Sequence, residues 1–459
     1  MKPNSLLLEI IILGFGFLVR LIQLNGSFWL DEAAQALESI RPLAEQFDIA
    51  ADFQPPLFHL LVHLMIQFNQ TEWFLRLASL VPGLLTIWLT IRIGKRLFTH
   101  EVGLMAGILL ASSQFHLFYS QELRPYSLAA CLALITFWGW LDLMQSPKKI
   151  SLLFFFAALS GLYTTYLFPV FLLSLLILTF IFYRPKTLFL GIYFLVFIIG
   201  FLPWIPSLIH QTNLGTSLAA AKPLWASIVS PPVIKMLPLV YLKFLLGRIP
   251  FDPNLLSMSG VGIISVIILA AFNRTRHKKS GPLVIGLSLL PILLGFIISL
   301  FVPVLDPKRV LFALPFLYLG IVAGLGKRFS SALVLALFLT INLWAVGLYA
   351  TNPDNQREPW REAIAVLEAD LPNDTLAIFA FTAPFAPWDW YQTRSLSTLS
   401  VTEPKTMSLI NNQHIVFFEY LKPLYDPTDQ IMANLENQGF FETGFYQYPG
   451  IGKMRVYAR

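Results

Sequence analysis

Apolar residues in this chain arrive in eleven long runs, at 6–25, 76–94, 101–119, 126–144, 151–167, 169–183, 187–206, 256–273, 282–302, 309–326 and 330–349, divided by short segments that hold most of the charge. About 20 apolar residues are enough to cross a bilayer as a helix. The pattern therefore predicts a mainly α, polytopic membrane protein of about eleven transmembrane helices. A soluble globular enzyme carries about one quarter charged residues; here 13% are charged and 56% hydrophobic, which excludes that class and disorder alike. The single cysteine, Cys131, lies inside an apolar run, so no intramolecular disulfide or cysteine metal site can form.

The charges are sorted along the chain. Residues 1–349 hold 24 Lys and Arg against 13 Asp and Glu, and residues 350–459 hold 8 against 13. Basic residues concentrate in cytoplasmic loops. With the N-terminus in the cytoplasm, the inward turns hold Lys2, Lys95-Arg96, Lys148-Lys149, Arg184 with Lys186, Arg274, Arg276, Lys278 and Lys279, and Lys327-Arg328. The outer loop at about 26–75 holds Asp31, Glu32, Glu38, Glu45, Asp48 and Asp52, with Arg41 alone before Arg76 at its rim. An odd number of spans then places 350–459 outside, in a multi-pass protein of the cytoplasmic membrane. Merging the two runs around Tyr163 to Pro169 would invert everything downstream, and the charge pattern opposes it. Asn25-Gly26-Ser27-Phe28-Trp29 is a poor cleavage site, so the first run reads as an uncleaved helix. The basic excess meets lipid headgroups or phosphates rather than nucleic acid, because it forms no basic soluble domain.

The expected organisation is a membrane module over 1–349, with outer loops 26–75 and 207–255, and a small extracytoplasmic α/β domain over 350–459. In the first loop, Ala33, Ala36, Leu37 and Ile40 recur at helical spacing, and Leu57 to Met65 is too short to span, so both read as interfacial helices. The second loop, with Pro223, Pro231-Pro232, Pro238 and Pro250, reads as an irregular cap. In the tail, a helix from Pro359 to about Asp370, strands at 376–381 and 414–419, a helix at 428–437 and a hairpin over 440–448 and 453–457 are expected.

Asp31-Glu32 directly follows the first span. Two adjacent carboxylates can deprotonate a hydroxyl or hold a divalent cation at the membrane surface; equally, Asp31 can cap an ordinary solvated helix. The context narrows the choice. The chain reads Trp29-Leu30-Asp31-Glu32-Ala33, then Asp52-Phe53-Gln54-Pro55-Pro56-Leu57-Phe58-His59, Glu72-Trp73-Phe74-Leu75-Arg76-Leu77, Tyr119-Ser120-Gln121-Glu122-Leu123-Arg124-Pro125-Tyr126-Ser127-Leu128 and Asp306-Pro307-Lys308-Arg309-Val310-Leu311. This combination resembles the GT-C superfamily of membrane glycosyltransferases, in the branch similar to bacterial protein O-mannosyltransferases and the aminoarabinose transferase of lipid A.

The resemblance implies transfer of a sugar from a polyprenyl-phosphate donor to an acceptor on the outer side of the membrane, probed here as a protein, lipid or glycan hydroxyl. It implies a catalytic acid pair, Asp31 with Glu32 beside it. Gln54, Pro55, Pro56 and His59 line the site from the same loop, Glu122 and Tyr126 from the mouth of the fourth helix, and Arg309 faces the lipid phosphate. Phe53 and Gln54 stand where some relatives have a charged residue, so no charged contact is assigned there. Physical reasoning on the charges runs parallel. Negative charge grows on the departing phosphate, and cations at outer helix ends, Arg124, Lys308 and Arg309, can stabilise it, or else only anchor headgroups. Asp31 is the leading base. Whether a divalent cation takes part is left open, and no metal ligands are assigned. His59 and His63 share a helix face at metal-site spacing, but no third ligand accompanies them, so hydrogen bonding is the preferred role. Trp29, Trp73, Trp204 and Trp225 fit an aromatic belt, with Trp29 also able to touch sugar; Trp388 and Trp390 are core or acceptor contacts. A transporter or flippase of envelope glycolipids, or a non-catalytic accessory protein, are the competing classes. Transporters place ionisable groups in mid-helix, whereas here they gather at the outer rim.

Overall fold

The eleven apolar runs all become helices, though unequal ones. In this computed structural model, which describes residues 3–49, 52–145, 151–221, 233–326, 329–381, 385–401 and 412–459, seven helices are long and apolar enough to cross a membrane. They are Leu77–Leu97, Tyr126–Gln145, Arg184–Ser217, Leu255–Thr275, Gly281–Ser299, Pro307–Gly324 and Ser331–Thr351. The run at 101–119 is a pair, His100–Ser112 and Gln114–Ser120, bent by 67°. The runs at 6–25, 151–167 and 169–183 form shorter apolar helices, Pro3–Val19, Leu152–Leu162 and Phe168–Phe182, beside the seven long ones and the bent pair. Lys2, Lys148, Lys149, Lys327, Arg328, Pro223, Trp225, Pro231 and Pro232 lie outside the described residues.

The bend at Ser113 frees backbone groups that must find partners away from water. Arg20 Nη1 donates to Ala111 O at 3.1 Å, Asn342 Nδ2 donates to Leu109 O at 3.1 Å, and Ser113 Oγ caps the second helix by accepting from the His116 amide. Small residues let neighbouring helices touch. A Cβ at Gly103 would lie 2.3 Å from Ile91 O, so the Leu77–Leu97 and His100–Ser112 helices cross backbone against backbone.

Loops 26–75 and 207–255 are more helical than their prolines suggested. Pro203 and Pro206 sit at helix starts, where a missing amide costs little, and the backbone continues as Ile205–Ala221 instead of an irregular cap. A further helix, Met236–Leu246, follows. In the first outer loop, Leu30–Ile40 and Leu57–Ile66 are helices, packed through Phe28, Ala33, Ala36, Phe58 and Val62.

After Thr351 the chain forms helix Trp360–Asp370, strand β1 (Leu376–Phe379), helix Ala386–Tyr391, strands β2 (Ser397–Ser400) and β3 (His414–Phe418), helix Gln430–Asn437, and strands β4 (Phe441–Tyr448) and β5 (Gly452–Ala458). The sheet order is β2-β1-β3-β5-β4, parallel through β2, β1 and β3 and antiparallel elsewhere. Period-two alternation fills both faces. Ala377, Phe379, Val416 and Phe418 pack on Trp360, Ile364 and Trp388, while Ile378, Ile415 and Phe417 pack on Ile431 and Leu435. Helix Ala386–Tyr391 and strand β2 were not anticipated. Trp388 is core, and Trp390 meets Phe28 of the first outer loop at 5.7 Å between ring centroids.

Candidate active site

One end of the helical bundle gathers many carboxyl groups, and their partners divide them into two sets. Glu32, Asp52 and Glu72 are each neutralised by arginine. Asp31, Glu122 and Glu358 form no ion pair within 4 Å among the described residues.

Adjacent residues of a helix point about 100° apart, and this separates Asp31 from Glu32. Both lie in the first turn of Leu30–Ile40, where negative charge suits the helix dipole. Glu32 shares the inward face with Gln35, Ala36 and Ser39 and is wholly buried. Its Oε1 accepts from Arg76 Nε at 2.9 Å and from the Leu123 amide at 2.7 Å; its Oε2 lies 2.6 Å from Arg76 Nη2 and 3.2 Å from Arg357 Nε. Burial pushes its pKa up, but Arg76, Arg357 and the hydrogen bonds outweigh burial and hold it below the ordinary value. The Glu32 carboxylate therefore ties four parts of the chain together. Asp31 is half-buried and makes no such bonds; its charge acts on Arg124, Lys308, Glu358 and Tyr420.

Asp52 and Arg124 form a two-pronged pair, with Nη1 to Oδ2 at 2.6 Å and Nη2 to Oδ1 at 2.9 Å. Burial works against ionisation of Asp52, and Arg124 and His59 reverse it, holding the carboxyl well below the usual range. Behind the pair runs a buried chain. Gln54 Nε2 donates to Asp52 Oδ2 and to Gln35 Oε1, each at 2.6 Å, and Gln35 Nε2 lies 2.8 Å from His59 Nδ1. His59 is thus in the network, while His63 meets Ser39 O at 2.9 Å, and among the described residues no three His, Cys, Asp or Glu side chains gather to hold a metal ion. Pro55 and Pro56 are buried beside this chain. Arg124 keeps a buried Nε without a hydrogen-bond partner.

Glu122 is 1% exposed, and its Oε2 has no hydrogen-bond partner. Burial raises its pKa to about 7 against the pull of Lys308, Arg357 and Arg248. Lys308 follows Asp306, whose Oδ1 accepts the Lys308 amide at 3.0 Å, and its Nζ sits 5.6 Å from the centre of the Tyr126 ring. Lys308 thus lies within the electrostatic reach of both Asp31 and Glu122. Arg309 turns back to Val304 O at 3.1 Å, and no hydrogen bond or ion pair among the described residues joins it to Asp31, Glu122 or Lys308.

Arg76, Arg357, Glu358 and Arg248 escaped the sequence reading as site residues. Arg248 and Arg357 both lie over the Phe118 ring, at 3.9 and 4.4 Å from its centroid. Gly247 before Arg248 has φ +73°, and a Cβ there would fall 2.1 Å from Gln114 Oε1, the group that accepts the Arg248 amide. The available signal for the others was the dense charge of Arg357-Glu358-Pro359-Trp360-Arg361-Glu362 directly after the last span.

Residues 53–210 match the family model described as dolichyl-phosphate-mannose-protein mannosyltransferase. No curated protein matches the chain in sequence. Among solved structures, ArnT from Cupriavidus metallidurans bound to undecaprenyl phosphate superposes with a TM-score of 0.60 at 13% identity, covering 100% of this chain and 98% of that one. Its apo state gives 0.59 at 12%, covering 98% and 97%. The apo oligosaccharyltransferase of Archaeoglobus fulgidus gives 0.55 at 11%, covering 92% of this chain and 70% of that one. The chain thus has the GT-C fold of these membrane glycosyltransferases, and across 53–210 it carries the sequence pattern of the mannosyltransferase family.

Proposed function

We propose that this protein transfers a sugar from a polyprenyl-phosphate donor to an acceptor hydroxyl at the outer face of the cytoplasmic membrane, with its N-terminus inside and residues 350–459 outside. The observation that carries this is Asp31, which forms no ion pair among the described residues, within the electrostatic reach of Lys308 at the end of a span in a GT-C fold. Undecaprenyl phosphate bound to ArnT makes a polyprenyl phosphate the natural donor lipid.

Asp31 takes the proton of the acceptor hydroxyl as its oxygen attacks the anomeric carbon. The bond from that carbon to the phosphate oxygen breaks, and its electron pair leaves with the polyprenyl phosphate. Attack opposite the leaving group inverts the anomeric carbon. Lys308 stabilises the charge that grows on the phosphate, helped by the Nε–H of Arg124 and by Arg309 if its side chain swings from Val304. Glu32 positions: it fixes the helix that carries Asp31. Gln54 and His59 position Arg124 through Asp52, and Tyr126 orients Lys308. A divalent cation at the outer carboxylates is a separate proposal, tested by adding a chelator to the transfer assay and then restoring activity with Mg2+ or Mn2+.

The test is Asp31→Asn in membranes supplied with radiolabelled polyprenyl-phosphate sugars. General-base catalysis contributes about 10²–10⁴-fold, so transfer should fall by that factor with protein level unchanged. Full activity in the variant would eliminate Asp31 as the base. Absence of transfer by the wild-type protein across donors, with export of a labelled glycolipid instead, would favour the flippase reading.

A further inference from the structure

The segment after the last span is fixed to the membrane module residue by residue. Gln356 Oε1 accepts from Gln23 Nε2 at 2.9 Å. Arg357 is buried on Glu32, donates to Tyr349 OH at 3.0 Å and to Phe118 O at 3.2 Å. Arg361 reaches Glu72 at 2.8 Å, and Glu362 accepts from Ser27 Oγ. Glu358 stands in the middle of this strap and bonds to none of those membrane-module groups.

Its surroundings come from four places. Trp360 Nε1 donates to Oε2 at 2.6 Å, from the start of helix Trp360–Asp370. Tyr420 OH donates to Oε1 at 3.0 Å, from the segment after β3. Gly450, in the turn between β4 and β5, packs so close that a Cβ there would lie 2.8 Å from Glu358 Cγ. The charges of Asp31 and Arg248 also act on it. Arg248 and Lys308 also act on Glu122, and Asp31 acts on Lys308, so the three carboxyls without ion pairs lie in one electrostatic neighbourhood. The Glu122 Oε2, wholly buried and without a partner, belongs to the same set.

A carboxyl placed among apolar and aromatic groups without a cation is costly to keep. Two fixed donors hold its plane and leave each oxygen a second lone pair. Aromatic walls and an oriented acceptor of this kind suit the hydroxyl groups of a sugar ring. We propose that Glu358 is a specificity-determining residue that accepts hydrogen bonds from the hydroxyls of a sugar ring, supplied to the site by the C-terminal segment. The proposal rests on the glycosyltransferase reading. The ring is either that of the donor or that of a glycan acceptor, and the two are told apart by which KM moves.

The experiment uses the full-length protein in liposomes, with undecaprenyl-phosphate hexoses as donors and extracted envelope glycolipid as acceptor. Glu358→Gln should fold, because Tyr420 OH can turn to accept from the new amide while Trp360 keeps its bond. Loss of a charged acceptor should raise one KM by about tenfold to a hundredfold, with kcat within about threefold. A raised donor KM assigns the donor ring; a raised acceptor KM assigns the acceptor ring. Burial raises the Glu358 pKa to about 7, with Trp360, Tyr420 and Arg248 pulling it down and Asp31 pushing it up. In the wild type the affected KM should therefore rise as pH falls through about 7, and in Glu358→Gln it should be flat. Tyr420→Phe retains the carboxyl and removes a donor to its charged form, so it should move that midpoint to higher pH. Unchanged KM values and an unchanged pH profile in both variants overturn the proposal while the glycosyltransferase reading stands. A wild-type protein that transfers no sugar overturns both.

Discussion

Arg76 offers five N–H groups, and the protein uses all five. Nε and one Nη2 hydrogen go to Glu32 at 2.9 and 2.6 Å, Nη1 goes to Leu24 O at 2.7 Å and Gly26 O at 2.5 Å, and the other Nη2 hydrogen goes to Ser27 O at 3.0 Å. The guanidinium also lies 5.1 Å from the Phe28 ring centroid. Lysine keeps the charge but has three donors on one atom and no planar fork. Arg76→Lys should leave at least two of these five contacts without a donor in a fully buried place. Breaking a buried pair costs about 3–5 kcal/mol. Arg357 and the Leu123 amide still serve Glu32, so the lower figure, about 3 kcal/mol, is expected, which is roughly a hundredfold in the folding equilibrium. The same loss lets the Asp31 helix shift, and misplacing a catalytic group by about 1 Å can cost about 10²-fold in rate. Equilibrium unfolding in detergent measures the first effect and sugar transfer the second. A variant within about 1 kcal/mol of the wild type, transferring at the wild-type rate, would refute the assignment of Glu32 and Arg76 as the clamp that holds Asp31.

Asp52→Asn strips Arg124 of its buried counter-charge and should also cost about 3 kcal/mol, read as a lowered unfolding midpoint at pH 7; a wild-type midpoint would show that the pair contributes nothing. Glu122 is held near 7 when folded and titrates near 4.5 when unfolded, so the folded state binds the extra proton between those values. Its contribution to stability is full below about 4.5 and is lost as pH rises through about 7, by about 3 kcal/mol. Glu122→Gln should flatten that slope and make the protein more stable than the wild type at pH 8, and a variant with the wild-type slope would refute the assignment.

The spans were legible because membrane insertion is written locally, in runs of apolar residues with basic turns between them. What bends them was not. The run at 101–119 looks continuous, and its break at Ser113 depends on Arg20 and Asn342, which are near only after folding. In the tail, the core strands β1 and β3 announced themselves as short continuous apolar runs, whereas β2, Ser397–Ser400, is short and mostly polar on an edge. The site shows the same limit. Asp31 and Glu32 are neighbours of equal chemistry, and nothing local says that only one meets Arg76, Leu123 and Arg357. Arg124 looked free for phosphate because its partner, Asp52, is one of seven carboxylates of a long loop. Ion pairing is a tertiary property, so charge sorting by side was readable and charge sorting by partner was not.

The Glu32 cluster also sets an order of events. Its carboxylate and Arg76 can meet as soon as the first outer loop and the following span are in place, but Arg357 comes only after the last span has been made. Until then the membrane bundle holds a buried acid, Glu32, with one of its two arginines in place. Docking of the strap supplies the second arginine and brings Glu358 within the electrostatic reach of Asp31 in the same movement. A chain that stops short of residue 357 therefore lacks one of the two arginines that the buried Glu32 carboxylate meets.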